Sequence, residues 1–472
     1  MSTLIKKGTI VTDSLIYNAD IWIESDKINK IGEDLNPAPD TRIIEAEGKL
    51  VLPGIIDTHV HFQLLFCGTV SKDNFINGSQ AAAFGGVTTF IDFATQERGH
   101  SLQESIENRK VEAEGKVCID YSLHATITDW NGYTRNEVRD VIAKGIPSFK
   151  MYMIYKNEGW MASDADLFFA LQETNKWGGI VAVHAENNDI IDGLIRQALS
   201  DESWKTRGAY AHYLTRPAFT EAEAIQRAIT LAENAGGTLY VVHTSSKDGL
   251  QAIREGRNRG VSVYAETCPQ YLLLDASLLQ DQQTGHLYAT CPPIRSEEDR
   301  KALWSGLAEG YIQCVGTDTC TFDTKQKSLW NGKFTQIPFG MPGIETALPL
   351  MFTEGYERGK ITLNQLVAIT STNAAKIFGL YPQKGAICVG ADADLVIFDP
   401  NKEKAIDWED LHTDCNWSPY QGTRVVGWPV VTVSRGRVIV ENNQFVGEVG
   451  WGRFIPCYLH QERGYCGNFF LS

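Results

Sequence analysis

The central part of the chain, residues 53–380, alternates short apolar runs with segments that read as helices. The apolar runs have the length and near-continuous hydrophobic character of strands that are buried on both faces. Two of the helical segments lie at 74–84, before a Gly-Gly pair, and at 102–113. The pattern predicts strands at 55–61, 87–93, 119–125, 148–155, 179–186, 238–243, 261–266 and 312–318.

Eight strands separated by helical material predict an α/β fold with a parallel sheet, specifically a (β/α)8 TIM barrel. The alternative is an open, doubly wound sheet. That fold often carries a glycine-rich phosphate-binding fingerprint, and the sequence contains none. The barrel is therefore the preferred interpretation.

Both ends of the chain read as short strands with turns. At the N-terminus these lie at 5–11, 19–24 and 27–32, the third assigned mainly from its neighbours, and the pattern returns at 392–400 and 429–440. We expect the two ends to pair into a smaller β-sandwich domain beside the barrel. The predicted boundaries are 1–52 and 381–472 for this domain and 53–380 for the catalytic barrel.

Composition excludes several classes of function. With 43 basic against 58 acidic residues, the net charge of −15 argues against a nucleic-acid partner. No apolar run is long enough to span a membrane, and the N-terminus lacks the apolar region of a secretory signal. The 10 cysteines show no framework spacing and are expected to be free thiols. A cytoplasmic protein is the expectation.

The first predicted barrel strand carries the sequence His59-Val60-His61, shortly after the turn signal Pro53-Gly54. Side chains alternate along a strand, so both imidazoles are expected on the same side. Histidine nitrogens in such a pair suit a metal ion such as zinc. The pattern alone leaves open that both are surface histidines or satisfied core histidines.

Further polar residues fall at or near the carboxyl ends of the predicted strands, where barrel enzymes place their active sites. Taken singly, each has an ordinary structural explanation, such as a satisfied core histidine or a helix cap. Their coincidence at one mouth favours a two-metal site. The set comprises His59, His61, Lys150, His184, His243 and Asp318.

Lys150 is the chemical exception in this set, because an ammonium group cannot ligate a cation and is costly to bury beside one. A neutral lysine amine can instead take up carbon dioxide to form a carbamate. That anion resembles a carboxylate on a long arm and would bridge two metal ions.

Together these segments resemble the cyclic amidohydrolases, and most closely the dihydropyrimidinase and hydantoinase branch. The resemblance extends over essentially the whole chain, and no single motif would carry it. It rests on the ligand segments and on four longer motifs, which are Ser148–Asn157, Glu266–Leu272, Ser371–Phe378 and Gly452–Pro456.

The resemblance implies two zinc ions per subunit and hydrolysis of a cyclic amide ring. His59, His61 and Asp318 would hold one ion, while His184 and His243 would hold the other. N6-carboxylated Lys150 would bridge the two, and a hydroxide between them would attack the ring carbonyl.

The same resemblance assigns two further roles. Asp318 would take the proton of the hydroxide and deliver it to the leaving ring nitrogen. Tyr155 matches the position whose hydroxyl helps to stabilise the oxyanion. Without the resemblance, Tyr155 is about equally well explained as a packed aromatic residue.

Three positions depart from the usual pattern of this branch. Thr319 stands where histidine usually follows the catalytic aspartate, and Cys291 stands where serine usually precedes the Pro-Pro pair. Phe339 opens a loop that often begins with asparagine. The resemblance implies that the loops of Cys291 and Phe339 contact the substrate, so altered pocket shape and polarity are expected.

Two loops match those that shape the pocket for the exocyclic substituent. Their residues, with one from the Lys150 strand, are expected to form an apolar wall that favours 5-substituted hydantoins or dihydropyrimidines over allantoin. The alternative is that they only cover the barrel mouth. These residues are Leu64, Leu65, Phe66, Tyr152 and Trp160.

Two other functions stay open from the sequence. Allantoinase, or another cyclic ureide hydrolase, is favoured slightly by Pro292–Arg295 and Gly343–Glu345, whereas Tyr155 weighs against it. A non-catalytic scaffold is the other, although every ligand position is filled. The resemblance further implies a homotetramer, with the tail 452–472 contacting a neighbouring subunit.

Overall fold

A computed structural model describes residues 2–36 and 38–459. Its larger unit is an eight-stranded parallel sheet whose strands pair in chain order. A parallel bridge between Val60 and Thr319 brings the first strand beside the segment after the last one. The predicted barrel is confirmed, with strands at Ile55–Val60, Val87–Thr95, Asp120–Thr126, Ser148–Tyr152, Ile180–His184, Thr238–Val241, Val263–Thr267 and Cys314–Val315.

Helices connect the barrel strands, and polar caps fix where several of them begin. Ser101, Ser163 and Ser296 each accept a hydrogen bond from the backbone N–H three residues later, which satisfies an otherwise unpaired donor. The α-helices are Phe75–Phe84, Leu102–Ala113, Gly132–Ala143, Asp164–Asn175, Asn188–Ser200, Tyr210–Leu214, Ala218–Ala235, Lys247–Asn258, Pro269–Leu273, Glu297–Ala308, Thr324–Lys327, Ala347–Met351, Leu363–Val367 and Asn373–Phe378.

Shorter helical segments complete the loops around the barrel. Two are π-helical, Phe352–Glu357 and Ala368–Thr372. The others are 3-10 turns at Glu202–Arg207, Ala276–Gln280, Gly285–Tyr288, Ser328–Trp330, Phe334–Gln336 and Trp408–Asp410. No helix of the described residues is both long and apolar enough to cross a membrane.

Both ends of the chain contribute strands to one nine-stranded sheet, which confirms their predicted pairing. Leu395 lies opposite Pro53 in an antiparallel pair that joins the two ends. The segment assigned from its neighbours is indeed a strand, Lys27–Gly32. The nine strands are Ser2–Val11, Ile16–Glu24, Lys27–Gly32, Arg42–Glu45, Leu50–Pro53, Leu395–Ala405, Arg424–Ser434, Arg437–Glu441 and Gln444–Phe445.

This sheet has its own hydrophobic core, separate from that of the barrel. Branched aliphatic side chains dominate it, as expected for strands that bury one face. Residues from both ends contribute, including Ile5, Ile23, Val51, Ile397 and Val433. The pairing of the two ends is therefore supported by packing as well as by hydrogen bonds.

A buried ionic cluster joins the terminal sheet to the barrel. Lys384 Nζ donates to Asp120 on the third barrel strand at 2.8 Å and to Asp394 at 2.6 Å. Asp392 lies 3.2 Å from the same ammonium group, and Arg435 Nε lies 3.0 Å from Asp120. These charges are buried but paired, the condition under which a protein interior tolerates them.

The last described residues return to the barrel. The N–H groups of Gly452, Ile455 and Cys457 donate to backbone carbonyls of Val117, Tyr121 and Gly145. Residues 460–472 of the predicted intersubunit tail lie outside the described part of the chain. Of the nine cysteines in the described part of the chain, eight are free thiols and Cys388 is disulfide-bonded, so the expectation of free thiols throughout is wrong at that position.

Candidate metal centre and substrate pocket

His59 and His61 converge on one carboxylate. The Nε2 atoms of both residues lie 3.3 Å from Oδ1 of Asp318. The alternation along the first strand places the two rings on one side, and Asp318 meets them because it follows the last strand, which lies next to the first. Asp318 has a positive φ of 51°, a sparsely populated backbone conformation for aspartate. These three residues form a compact ligand set.

His184 and His243 form the second pair of nitrogens. Nδ1 of His184 lies 3.1 Å from Nε2 of His243, and both side chains are buried. His184 ends the fifth barrel strand, while His243 follows the sixth with a positive φ of 36°. Adjacent parallel strands thus bring two imidazoles from distant parts of the sequence into contact.

Lys150 lies inside the fourth barrel strand, and its side chain lines the same pocket as both histidine pairs. Its Nζ atom is 5.4 Å from the ring centroids of Phe93 and Tyr152. Among the described residues, none accepts a hydrogen bond from this amine. Burial lowers the pKa of Lys150 to about 7, which makes the neutral amine accessible near neutral pH.

Burial shifts the pKa values of three of the ligand histidines. It lowers the pKa of His184 below its usual value and those of His59 and His243 well below it, which favours the neutral form that binds metals. Although burial opposes it, the nearby His59 and His61 hold the pKa of Asp318 below its usual value. The donor set therefore fits metal ions, with neutral imidazoles and an ionised carboxylate.

Glu266 supports the first histidine pair, a role that the sequence interpretation missed. Its Oε1 lies 2.7 Å from Nδ1 of His59 and accepts the backbone N–H of His243 at 3.2 Å. Its Oε2 accepts hydrogen bonds from the hydroxyls of Thr58 and Tyr240. Glu266 opens one of the motifs that carry the family resemblance, which was the available signal.

Glu186 has the corresponding place beside the second pair. Its Oε2 lies 2.7 Å from Nε2 of His184 and accepts the thiol hydrogen of Cys291 at 3.2 Å. Burial opposes ionisation of Glu186, but the hydrogen bond with His184 lowers its pKa to about 2. This carboxylate therefore fixes the ring of His184 with Nδ1 facing His243.

The ligand residues line one pocket that opens to solvent. Aromatic rings form part of its wall, with Phe66 stacked on Trp160 at 5.8 Å between centroids. Tyr152 lies 5.3 Å from Trp160, and Tyr155 lies 5.3 Å from the ring of His184. The pocket therefore combines a polar floor with an apolar side.

The structure places most of the predicted pocket residues at this site. Tyr155, Trp160, Cys291 and Phe339 all line it, together with Leu64, Phe66 and Tyr152. Leu65 does not line the pocket and is 69% exposed. Leu65 pairs with Val70 in a two-residue hairpin strand, so Leu64 is the leucine that faces the site.

Thr319, the first of the three departures from the family pattern, does not line the pocket. Its backbone carbonyl accepts the N–H of His61 at 2.9 Å. Its hydroxyl is buried and has no hydrogen-bond partner among the described residues. Of the three departures, only Cys291 and Phe339 therefore alter the surface that a ligand meets.

Comparison with known proteins agrees with this geometry. Residues 50–439 match the amidohydrolase family. The chain is 46% identical to a D-hydantoinase of Geobacillus stearothermophilus, over 96% of each chain. It is 40% identical to a dihydropyrimidinase of Rattus norvegicus, over 96% of this chain and 88% of the other. The crystal structure of dihydropyrimidinase from Brevibacillus agri superposes with a TM-score of 0.95 at 44% identity. The match covers 97% of this chain and 99% of the other.

Proposed function

The chain belongs to the amidohydrolase family, and we propose that it is a binuclear metal hydrolase of cyclic amides. Its substrates would be dihydropyrimidines and 5-substituted hydantoins, opened to N-carbamoyl amino acids. The observation that carries this proposal is the convergence of four histidines, Asp318 and a buried Lys150 on one pocket. The names of its relatives, D-hydantoinase and dihydropyrimidinase, support the substrate class.

Two zinc ions would occupy the two ligand sets. His59, His61 and Asp318 would hold one ion, and His184 and His243 would hold the other. Histidine nitrogens and a carboxylate are among the ligands that zinc binds in proteins. The separation of the five side chains into two groups supports two ions rather than one.

Lys150 would complete the site as an N6-carboxylated residue. Its neutral amine would form a bond from nitrogen to the carbon of carbon dioxide and release one proton, leaving a carbamate anion. The lowered pKa of Lys150 supports this step because the attacking amine must be unprotonated. The amine also has no acceptor among the described residues, and it lines the pocket with both ligand sets.

When bound, the two ions would supply a nucleophile at neutral pH and polarise the amide carbonyl. Asp318 would take a proton from the attacking water and deliver it to the ring nitrogen that leaves. Burial raises the pKa of Tyr155 well above its usual value, so its phenol keeps its proton. It would donate a hydrogen bond to the oxyanion.

The apolar wall supports a preference for substrates that carry a ring substituent. The stacked rings of Phe66 and Trp160 offer a flat surface to an aromatic or alkyl group at position 5. Allantoin carries a polar ureido group at that position, and the apolar wall would offer that group no hydrogen-bond partner. Phe339 adds a further apolar side chain to the lining.

The test is hydrolysis of dihydrouracil, hydantoin, 5-phenylhydantoin and allantoin by protein loaded with zinc and bicarbonate. We expect turnover of the first three, lost in Lys150→Ala and kept in the matched control Lys156→Ala, an exposed lysine nearby. Turnover of allantoin alone would move the protein to the ureide hydrolases. Absence of turnover with two bound metals would refute the proposed substrates.

The oligomeric state and the cellular location of the protein are each proposed from a single observation. We infer a homotetramer from the resemblance to the hydantoinase branch, and light scattering of the purified protein tests it. We infer a cytoplasmic location because eight of the nine cysteines in the described residues are free thiols, which is typical of a reducing compartment, and the bonded Cys388 is the one described exception. Cell fractionation tests that inference.

A further inference from the structure

Cys291 and Phe339, the two departures from the family pattern that face the pocket, lie on two short segments. The segments are residues 289–291 and 338–340, and we call them the pocket wall. Cys291 and Phe339 line the pocket from this wall, together with Thr290 and Gly340. Whatever holds the wall in place therefore controls the surface that meets a substrate.

The two segments of the pocket wall touch each other directly. The N–H of Gly340 donates to the carbonyl of Ala289 at 3.1 Å. Gly340 has φ of +136°, and a Cβ atom there would lie 2.3 Å from the carbonyl oxygen of Cys320. The segment therefore passes so close to its neighbour that only glycine fits.

One buried lysine amine links the two segments on the side away from the pocket. Lys327 ends the short helix Thr324–Lys327, and its side chain is fully buried. Its Nζ donates to the carbonyl of Ala289 at 3.2 Å and to the carbonyl of Pro338 at 2.7 Å. Each segment thus gives one backbone acceptor to the same amine.

His212 holds the pocket wall at a second point. It lies 2.8 Å from the carbonyl of Thr290 through Nε2, and its ring stacks on Phe339 at 4.5 Å. Arg216 Nη1 lies 2.9 Å from Nδ1 of His212, which assigns Nδ1 as the acceptor and Nε2–H as the donor. The wall is therefore fixed at Ala289, Thr290 and Pro338, immediately beside the residues that line the pocket.

A buried lysine without a carboxylate needs an explanation. Within residues 2–36 and 38–459, no acidic side chain lies within ion-pairing distance of Lys327. Burying an amine that can carry a charge is costly unless hydrogen bonds offset the loss of hydration, and an apolar side chain would fill the same space without that cost. The two carbonyl contacts are what a lysine provides here and an apolar residue does not.

We propose that Lys327 is a positioning residue for the substrate, because its buried amine fixes the two segments that present Cys291 and Phe339. This inference rests on the proposed function for its kinetic consequence. Lys327 touches neither ligand set, so removing its amine would weaken substrate binding and leave the chemical step intact.

The kinetic test compares Lys327→Met with Lys325→Met. Lys325 lies on the same short helix but is exposed, so it is the matched control. With 5-phenylhydantoin we expect KM of Lys327→Met to rise by about tenfold or more while kcat stays within threefold, the signature of lost binding. Bound metal should stay at the wild-type level, and the control should match wild type.

A second measurement needs no activity. Hydrogen exchange of Lys327→Met should increase in peptides that cover 286–293 and 335–341 and stay unchanged in those that cover the barrel strands. If the wild type hydrolyses no cyclic amide, the proposed function fails while this measurement still decides whether Lys327 positions the wall. Unchanged exchange in both segments would overturn the inference.

Lys327→Gln provides a variant that keeps an N–H donor at the same place. We expect its KM and its exchange to fall between those of wild type and Lys327→Met. A proportional fall in kcat with loss of metal would overturn the inference, since it would place Lys327 in support of the metal centre. Failure of both variants to fold would also overturn it, because a positioning residue leaves the barrel intact.

Discussion

Oε1 of Glu266 lies 2.7 Å from Nδ1 of His59, so the opposite nitrogen of that ring, Nε2, faces Asp318. The carboxylate thereby sets both the orientation and the tautomer of a proposed metal ligand. The N–H of His243 is bound to the same oxygen, so one buried residue connects the two ligand sets.

Glu266→Gln tests this connection. The amide keeps the shape of the side chain but presents a weaker acceptor to His59, so we expect zinc affinity to fall by about 10- to 100-fold. Zinc retained after dialysis against graded chelator measures the change. Glu255→Gln, on an exposed helix position, is the control, and equal zinc retention in both variants would contradict the role of Glu266.

Tyr155→Phe removes the hydroxyl that is the proposed oxyanion donor and keeps the aromatic ring. Because the hydroxyl would act on charge that develops in the transition state, we expect kcat to fall by about 100- to 1000-fold with unchanged bound metal. Steady-state hydrolysis of dihydrouracil gives kcat. Tyr133→Phe, at an exposed tyrosine, should match wild type. A change confined to KM would show that Tyr155 only shapes the pocket.

Trp160→Ala opens the apolar wall beside Phe66. We expect kcat/KM for 5-phenylhydantoin to fall by about tenfold or more relative to dihydrouracil, since the phenyl ring loses a stacking surface. Parallel assays of both substrates measure the ratio. Trp177→Ala, half-exposed and outside the pocket lining, serves as the control. An unchanged ranking of substrates would mean that Trp160 only covers the barrel mouth.

Lys384→Met tests the ionic cluster that joins the terminal sheet to the barrel. Removing the cation leaves Asp120, Asp392 and Asp394 buried together, so we expect a loss of about 3–5 kcal/mol in the free energy of unfolding. Denaturant titration measures the loss. Lys376→Met, which breaks a half-exposed pair with Asp13, is the control and should change stability little.

The loss in Lys384→Met should also depend on pH. Burial already raises the pKa of Asp394 to about 6, and removal of the cation moves it further up. A carboxyl whose pKa is raised on folding contributes stability at low pH, which is lost as pH rises through that pKa. The deficit of the variant should therefore be smaller at pH 5 than at pH 8, and a pH-independent deficit would contradict this account.

Strand periodicity was enough to predict the centre of the site. The alternation in His59-Val60-His61 placed both imidazoles on one side, and the carboxyl-end rule for barrels brought Lys150 and Asp318 to the same mouth. These features follow from local geometry repeated along the chain. They are visible before any tertiary contact is known.

Leu64 and Lys327 show where such inference stops. The hairpin that carries Leu65 has strands of only two residues, too short for alternation to decide which leucine faces inward. Lys327 lies in a four-residue helix with no apolar pattern, and its burial results from loops that fold over it. Glu266 and Glu186 were present in recognisable motifs. Glu266 pairs with His59 on another strand, whereas Glu186 pairs with His184 two residues earlier, a contact that strand alternation alone does not predict.

The pairing of Leu395 with Pro53 has a consequence for biosynthesis. The strand Leu50–Pro53 leaves the ribosome long before its antiparallel partner, which is encoded more than 300 residues later. At translation rates of about 5–20 residues per second, the interval lasts roughly tens of seconds. During that time the early strands have an uncompleted edge, the feature that promotes aggregation of nascent chains. The order of synthesis thus makes the last 80 or so residues, on the order of a sixth of the chain, decisive for productive folding.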